Sequence, residues 1–340
     1  MNRREFLHTA AGAALTVPAA RAAEPEPDVV RLNRRLGRGV NLGNCLEAPY
    51  EGAWGLKLEA DFFARIKDAG FDSVRIPVKW SAHAQAEPPY TLDDAFARRV
   101  DWAVEQALSR GLAAVLNVHH YDEMNGEPDR HEARLVGMWQ QIAARFRDRP
   151  EELVFELLNE PQNKLTDDRW NRAIPPVLAA VRETNPRRAV IVGPGHWNGI
   201  GSLDKLRLPA DDRLIVTVHY YSPFEFTHQG APWAKGSDKW KGRTWEGKPA
   251  EAEALRRDFT KAATWAAAQK RPLFLGEFGA FSAADLPSRA RWTRAVTREA
   301  ERLGMSWAYW EFASGFGAFD PKSRAWRQPL LDALLDHPAG

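Results

Sequence analysis

The chain has 340 residues, 44% of them hydrophobic and 27% charged, an ordinary globular composition with ample length for a full core. Its formal net charge of +2 is accounted for by Arg3, Arg4 and Arg21 against Glu5, so the rest of the chain is electroneutral. That removes any electrostatic case for nucleic acid or an anionic membrane as the main partner.

In chain order, residues 1–22 come first. The arginine pair followed by Phe6-Leu7, an Ala-rich run and Ala20-Arg21-Ala22 resembles a cleaved twin-arginine export signal, which implies a periplasmic or secreted protein. Glu24-Pro25-Glu26-Pro27 then reads as part of a short stiff linker, residues 23–30, leaving residues 31–340 as one folded domain. No other apolar run approaches the ~18 to 20 residues that a membrane span requires. Cys45 is the only cysteine, so no intramolecular disulfide is available. A lone thiol in an apolar setting is more often inert core than nucleophile.

From there an alternation begins. Strand-like runs fall at Gly39–Leu42, Ser73–Pro77, Ala113–Val118, Leu153–Leu158, Val190–Val192, Leu214–Val218, Leu273–Leu275 and Ser306–Tyr309. Between them lie segments with apolar residues at helical spacing, several closed by glycine, as at Gly70, Gly111 and Gly304. Eight near-continuous apolar strands alternating with helices predict a parallel sheet covered by helices, and eight is the number that closes a single (β/α)8 TIM barrel. The rival open sheet would carry a Gly-rich phosphate fingerprint after its first strand, and Gly39-Val40-Asn41-Leu42-Gly43-Asn44 lacks that spacing.

Barrel active sites sit at the C-terminal ends of the strands. Read in turn, those positions offer Asn41, Asn44 and Glu47; Arg75; His119 and His120; Asn159 and Glu160; His196 and Trp197; His219 and Tyr221; Glu277; and Trp310 and Glu311. Any one of them could be a structural polar group, but functional side chains at all eight strand ends are hard to obtain by accident. There is no nucleophile elbow G-x-S-x-G. A metal site could draw on His119, His120, Glu160, His219 and Glu277, yet there is neither H-x-H on the first strand nor H-E-x-x-H, and His119 and His120 point to opposite sides of an extended strand. No metal or cofactor is therefore expected. Two glutamates ending buried strands, Glu160 in LLNEP and Glu277 in LFLGEFGA, favour glycoside hydrolysis, in which one carboxylic acid protonates the leaving oxygen and a second carboxylate attacks the sugar or activates water. Seven of the 14 tryptophans (Trp54, Trp80, Trp197, Trp233, Trp240, Trp245 and Trp310) fall at or beyond strand ends, as a sugar cleft would need, whereas Trp102, Trp139 and Trp265 read as core.

The motifs LLNEP, LGEFGA, VRIPVKWS, VLNVHHYDE, VTVHYYSPF and AYWEFASGFG together resemble glycoside hydrolase family 5, the cellulase-type (β/α)8 barrels, from about Arg38 to Leu335. NLGNCLEAPYEGAWG and HYYSPFEFTHQGAPW are similar to the bacterial endoglucanases of that family that also act on mannans. The resemblance implies a retaining endo-β-1,4-glucanase with Glu160 as acid/base and Glu277 as nucleophile. Arg75, His119, Asn159, His219, Tyr221 and Trp310 match the family's other active-site positions. Asn44, Glu47, His120, Trp233 and Glu311 are expected as further substrate contacts. Arg75 is expected to hold the Glu277 carboxyl down, and burial with the charge of Glu277 to raise Glu160. The substrate would be a β-linked poly- or oligosaccharide, soluble or amorphous, since the last helical segment, Leu330–Leu335, is followed by no separate binding module. A β-mannanase or dual enzyme is the alternative within the class, and a non-catalytic periplasmic carbohydrate-binding barrel the alternative outside it.

Overall fold

In the computed structural model, which describes residues 28–335, the apolar runs form eight short parallel strands: β1 (Arg38–Asn41), β2 (Ser73–Ile76), β3 (Ala113–Asn117), β4 (Leu153–Glu156), β5 (Val190–Val192), β6 (Leu214–Tyr220), β7 (Leu273–Phe278) and β8 (Ser306–Tyr309). They pair in sequence order, and β1 pairs with both β2 and β8, closing the barrel. The fold is a single (β/α)8 barrel, as the strand count predicts. The export signal, together with residues 23–27 of the expected linker, lies outside the described residues.

Strand parity explains the layering of the interior. Successive side chains alternate faces, and the outward set, including Val74, Leu116, Phe155, Val216 and Leu275, packs with the surrounding helices in one large cluster. The inward set forms a second cluster from Val115, Val154, Ile191, Ile215, Phe274 and Ala308. One step further along, the same inward parity carries Asn41, Arg75, Asn117, Glu156 and Thr217, all buried. A polar layer therefore sits on top of the apolar plug, toward the C-terminal mouth.

Helix α1 (Asp28–Leu36) belongs to this interior. Its Val29, Leu32 and Leu36 join the inward cluster and close the N-terminal end, while Asn33 donates to Leu273 O at 2.9 Å and accepts from Ser306 Oγ at 2.9 Å. This corrects the linker boundary: residues 28–30 are the first turn of a packed helix, with Val29 only 3% exposed. Helices follow most strands, among them Ala60–Ala69, which stops at Gly70 in the left-handed conformation (φ 103). The fifth crossover differs from the simple alternation. It holds no long helix, only a tight turn at 195–198 and a 3-10 segment, Ile200–Lys205.

Candidate active site

A cleft of about 590 Å³ opens at the C-terminal mouth, and Asn44, His119, His120, Asn159, Glu160, Tyr221, Trp233, Glu277 and Trp310 all line it. Arg75 and His219 lie just beneath, buried. A register shift between Val218 and His219, where β6 meets β7, sets His219 opposite Glu277. Glu160 follows β4 in the left-handed conformation (φ 47), turning the chain sharply where the apolar run ends.

Arg75 organises the floor. It donates to Glu156 through Nε at 2.7 Å and Nη2 at 2.8 Å, to Asn41 Oδ1 and Glu277 Oε1 through Nη1, both at 2.8 Å, and to Asn159 Oδ1 through Nη2 at 2.6 Å. A guanidinium fork saturated in this way is rigid. The Asn159 amide is thereby oriented, its oxygen taken by Arg75 and its nitrogen left for another partner. Tyr221 donates its hydroxyl to Glu277 Oε2 at 3.0 Å. Glu160 Oε1 lies 2.8 Å from His219 Nδ1, which is also 3.6 Å from Glu277 Oε2. One donor atom each from Glu160, His219 and Glu277 lie within 4.8 Å of one another.

Burial raises Glu160 to about 7, against the pull of Arg75 and with a push from Glu156. The expected repulsion between the two carboxyls is present as well, the charge of Glu160 raising Glu277. Burial also pushes Glu277 up, opposed by His219 and Arg75. The expectation that Arg75 holds this carboxyl below its usual range is thus corrected, because desolvation outweighs the cation. The two carboxyls still differ in kind: Glu277 receives an N–H from the Arg75 cation and an O–H from Tyr221, both favouring its ionised form, while the partner of Glu160 is the uncharged ring of His219. Burial lowers His219 to about 4, so near neutral pH it carries a single proton.

Three further expectations are corrected. Glu47 and Glu311 are not cleft residues; both are 0% exposed. Glu47 accepts the backbone N–H groups of Asn44 and Cys45, and Glu311 those of Ala313, Ser314 and Phe316. They hold two cleft-wall loops in shape from behind. His119 and His120 do not diverge, because His120 is left-handed (φ 48); both rings face the cleft with centroids 4.5 Å apart. Of the loop tryptophans, Trp80 and Trp245 are core, 0% and 4% exposed, and Trp197 is exposed outside the cleft lining. Trp54, Trp233 and Trp310 do line it, Trp310 stacked on His119 at 7° between planes. The Glu160–His219–Glu277 trio is the one group of potential metal ligands among the described residues. A guanidinium already bonded to Glu277 makes it a poor seat for a divalent cation.

Sequence reading passed over Glu156, although it stands two residues after inward-facing Val154 and so had the parity signal. It also passed over His228, Ser314, Gly315 and Phe316, which complete one wall from loops with no strand-end signature.

Comparison with known proteins agrees with this geometry. Residues 38–315 match the family model described as cellulase (glycosyl hydrolase family 5). Endoglucanase H of Acetivibrio thermocellus is 38% identical over 91% of this chain, which spans 34% of that relative's length. The chain likewise spans 40% of the cellulase/esterase CelE of the same organism, at 29% identity. Among solved structures, Thermotoga maritima Cel5A in complex with cellobiose superposes with a TM-score of 0.89 at 48% identity, covering 91% of this chain and 100% of that one. Cel5A in complex with mannotriose gives 0.89 at 47% identity, with the same shares covered.

Proposed function

The chain belongs to glycosyl hydrolase family 5, and from that premise we propose that it hydrolyses internal β-1,4-glucosidic bonds of soluble or amorphous β-glucans with retention of anomeric configuration. The observation that carries the reading is the separation of the two carboxyls: Glu160 and Glu277 each have an oxygen within 4.8 Å of the other. Retaining enzymes hold the pair roughly 5 to 5.5 Å apart, whereas inverting ones need about 6.5 to 9.5 Å to admit a water between them.

Glu277, ionised and steadied by Arg75 and Tyr221, attacks the anomeric carbon. Glu160, raised by burial to about 7, gives its proton to the departing glycosidic oxygen. With Glu277 consumed in the glycosyl ester its negative charge is gone, and Glu160 more readily stays ionised to take a proton from the incoming water. The free amide nitrogen of Asn159 donates toward the sugar's 2-hydroxyl. Trp54, Trp233 and Trp310 offer ring faces to the sugar's C–H surfaces. A mannan is the second reading, supported by the relative solved with mannotriose. Export by the twin-arginine route, supported by residues 2–22, would put the enzyme with its polymer outside the cytoplasm.

The test is time-resolved NMR of the anomeric proton released from cello- and manno-oligosaccharides, with EDTA present. First appearance of the β-anomer is expected, and the relative rates rank the two sugars. First appearance of the α-anomer would refute Glu277 as nucleophile. Sugar binding without hydrolysis of either would favour the non-catalytic barrel.

A further inference from the structure

The crossover after β5 carries three consecutive non-glycine residues in the left-handed region: His196 (φ 50), Trp197 (φ 57) and Asn198 (φ 53). A side chain with a Cβ disfavours that conformation even singly, so a run of three persists only where neighbours hold it. Those neighbours are visible. The Trp197 N–H donates to Pro161 O at 3.2 Å, and Gly199 bridges to His219 of β6. The Asp167 carboxylate lies 3.4 Å from His196 Nε2 and 3.2 Å from Lys205 Nζ. The turn is clipped on one side to the residue after Glu160 and on the other to the strand bearing His219.

What the turn delivers is Asn198, 0% exposed, with its Nδ2 3.3 Å from His219 Nε2. The other edge of that ring faces two carboxyls, Glu160 at 2.8 Å and Glu277 at 3.6 Å, both from Nδ1. A neutral imidazole has one N–H to place. A lone pair on Nδ1 would confront the ionised Glu277 and, once it has given up its proton, Glu160, while a proton on Nδ1 is accepted by their oxygens. The proton on Nδ1 leaves Nε2 an acceptor in need of a donor from below, which the Asn198 amide supplies. Asn198 Oδ1 is left buried without a partner, a cost consistent with the amide's nitrogen being the end that matters. Gly276 leaves the ring its room, since a Cβ there would stand 3.0 Å from Nε2.

We propose that Asn198 is a positioning residue for the acid/base: by donating to His219 Nε2 it keeps the ring proton on Nδ1, directed at Glu160. This deepens the glycosidase reading and rests on it. A donor on Glu160 favours its ionised form, the state needed when it turns from acid to base. The other titratable groups facing His219 and Glu160 are Glu277 from β7, Arg75 from β2, Glu156 from β4, His119 after β3 and Tyr221 after β6. Substitution at 198 changes none of these residues.

The experiment is nitrogen-15 spectroscopy of the histidine rings in the full chain, with His219 assigned by its loss in His219→Gln. Wild type should show Nδ1 protonated and Nε2 bare at neutral pH. Asn198→Leu should mix the tautomers and move the basic limb of kcat/KM for an aryl cellobioside upward by about half a pH unit or more, the scale of one lost hydrogen bond. Asn198→Ala replaces it if the leucine variant does not fold. A wild-type proton on Nε2 overturns the proposal. So does a variant whose kcat falls while tautomer and limb stay put, since that is what a merely structural role predicts. The spectra need no turnover, so a protein inactive on every glycan would sink the glycosidase reading while leaving the tautomer result standing.

Discussion

Replacing Tyr221 by Phe removes one oxygen and one hydrogen bond from the site, that to Glu277 Oε2 at 3.0 Å. The ring stays, with its edge contacts to His228 and Phe316, so packing should hold. A hydrogen bond to a charged acceptor is worth about 1.5 to 3 kcal/mol, and about 1.4 kcal/mol corresponds to one pKa unit. Arg75 still donates to Oε1, and Glu277 lines the cleft, where water can partly replace the phenol, so the lower end applies: about one unit. The sign follows from which form the donor favours. Tyr221 stabilises ionised Glu277, so its loss raises a carboxyl that burial already pushes up. In the proposed mechanism Glu277 must be ionised to attack, and the acid limb of kcat/KM therefore moves to higher pH by about one unit. Initial rates on an aryl cellobioside across the acid range would measure it, with circular dichroism to verify the fold. An acid limb that coincides with wild type would refute the claim that this hydroxyl sets the ionisation of Glu277.

The basic limb should report Glu160: as the proposed acid it must be protonated, and it lies at about 7, so kcat/KM should fall as pH rises through that value. Glu160→Gln should abolish that limb and slow substrates with poor leaving groups far more than activated aryl glycosides; equal losses on both would argue against an acid role. Gly276→Ala puts a Cβ 2.6 Å from Thr217 Oγ1 and 3.0 Å from His219 Nε2, so kcat should drop roughly tenfold or more through displacement of the ring; unchanged kcat would mean the ring has slack. Trp139→Ala opens a cavity in the outer core and strips the Leu157 carbonyl of its indole donor at 2.9 Å. Urea unfolding should show a loss of about 3 to 5 kcal/mol, and a loss below about 1 kcal/mol would contradict the packing described.

How legible the site was depended on how local each signal is. Glu160 and Glu277 could be read because a carboxylate ending a buried apolar run conflicts with the preference of its own segment. Glu156 was overlooked inside the otherwise apolar run Leu153–Leu158, and its partner, Arg75, comes only from the inward layer it shares with Val154 and Asn41. Glu47 and Glu311 stand at the expected strand ends, but which way a loop carboxylate turns depends on whether backbone N–H groups converge on it. That convergence comes from loop conformation, and residue spacing does not record it. The same holds for His120, whose left-handed backbone undid an argument built on an extended strand.

Strand positions, helix stops at glycine, the barrel and the two carboxylates were all present in the order of residues, because periodicity and punctuation act over a few neighbours and survive without long-range contacts. The tautomer support under His219, the Arg75 fork, the burial that pushes both carboxyls up, and the closure of the barrel's lower end by α1 were not. Each joins residues far apart in the chain, as Arg75 joins Glu277 and Asn33 joins Leu273. Burial itself is a property of everything packed around a group, so the ionisation of Glu160 had to wait for the fold.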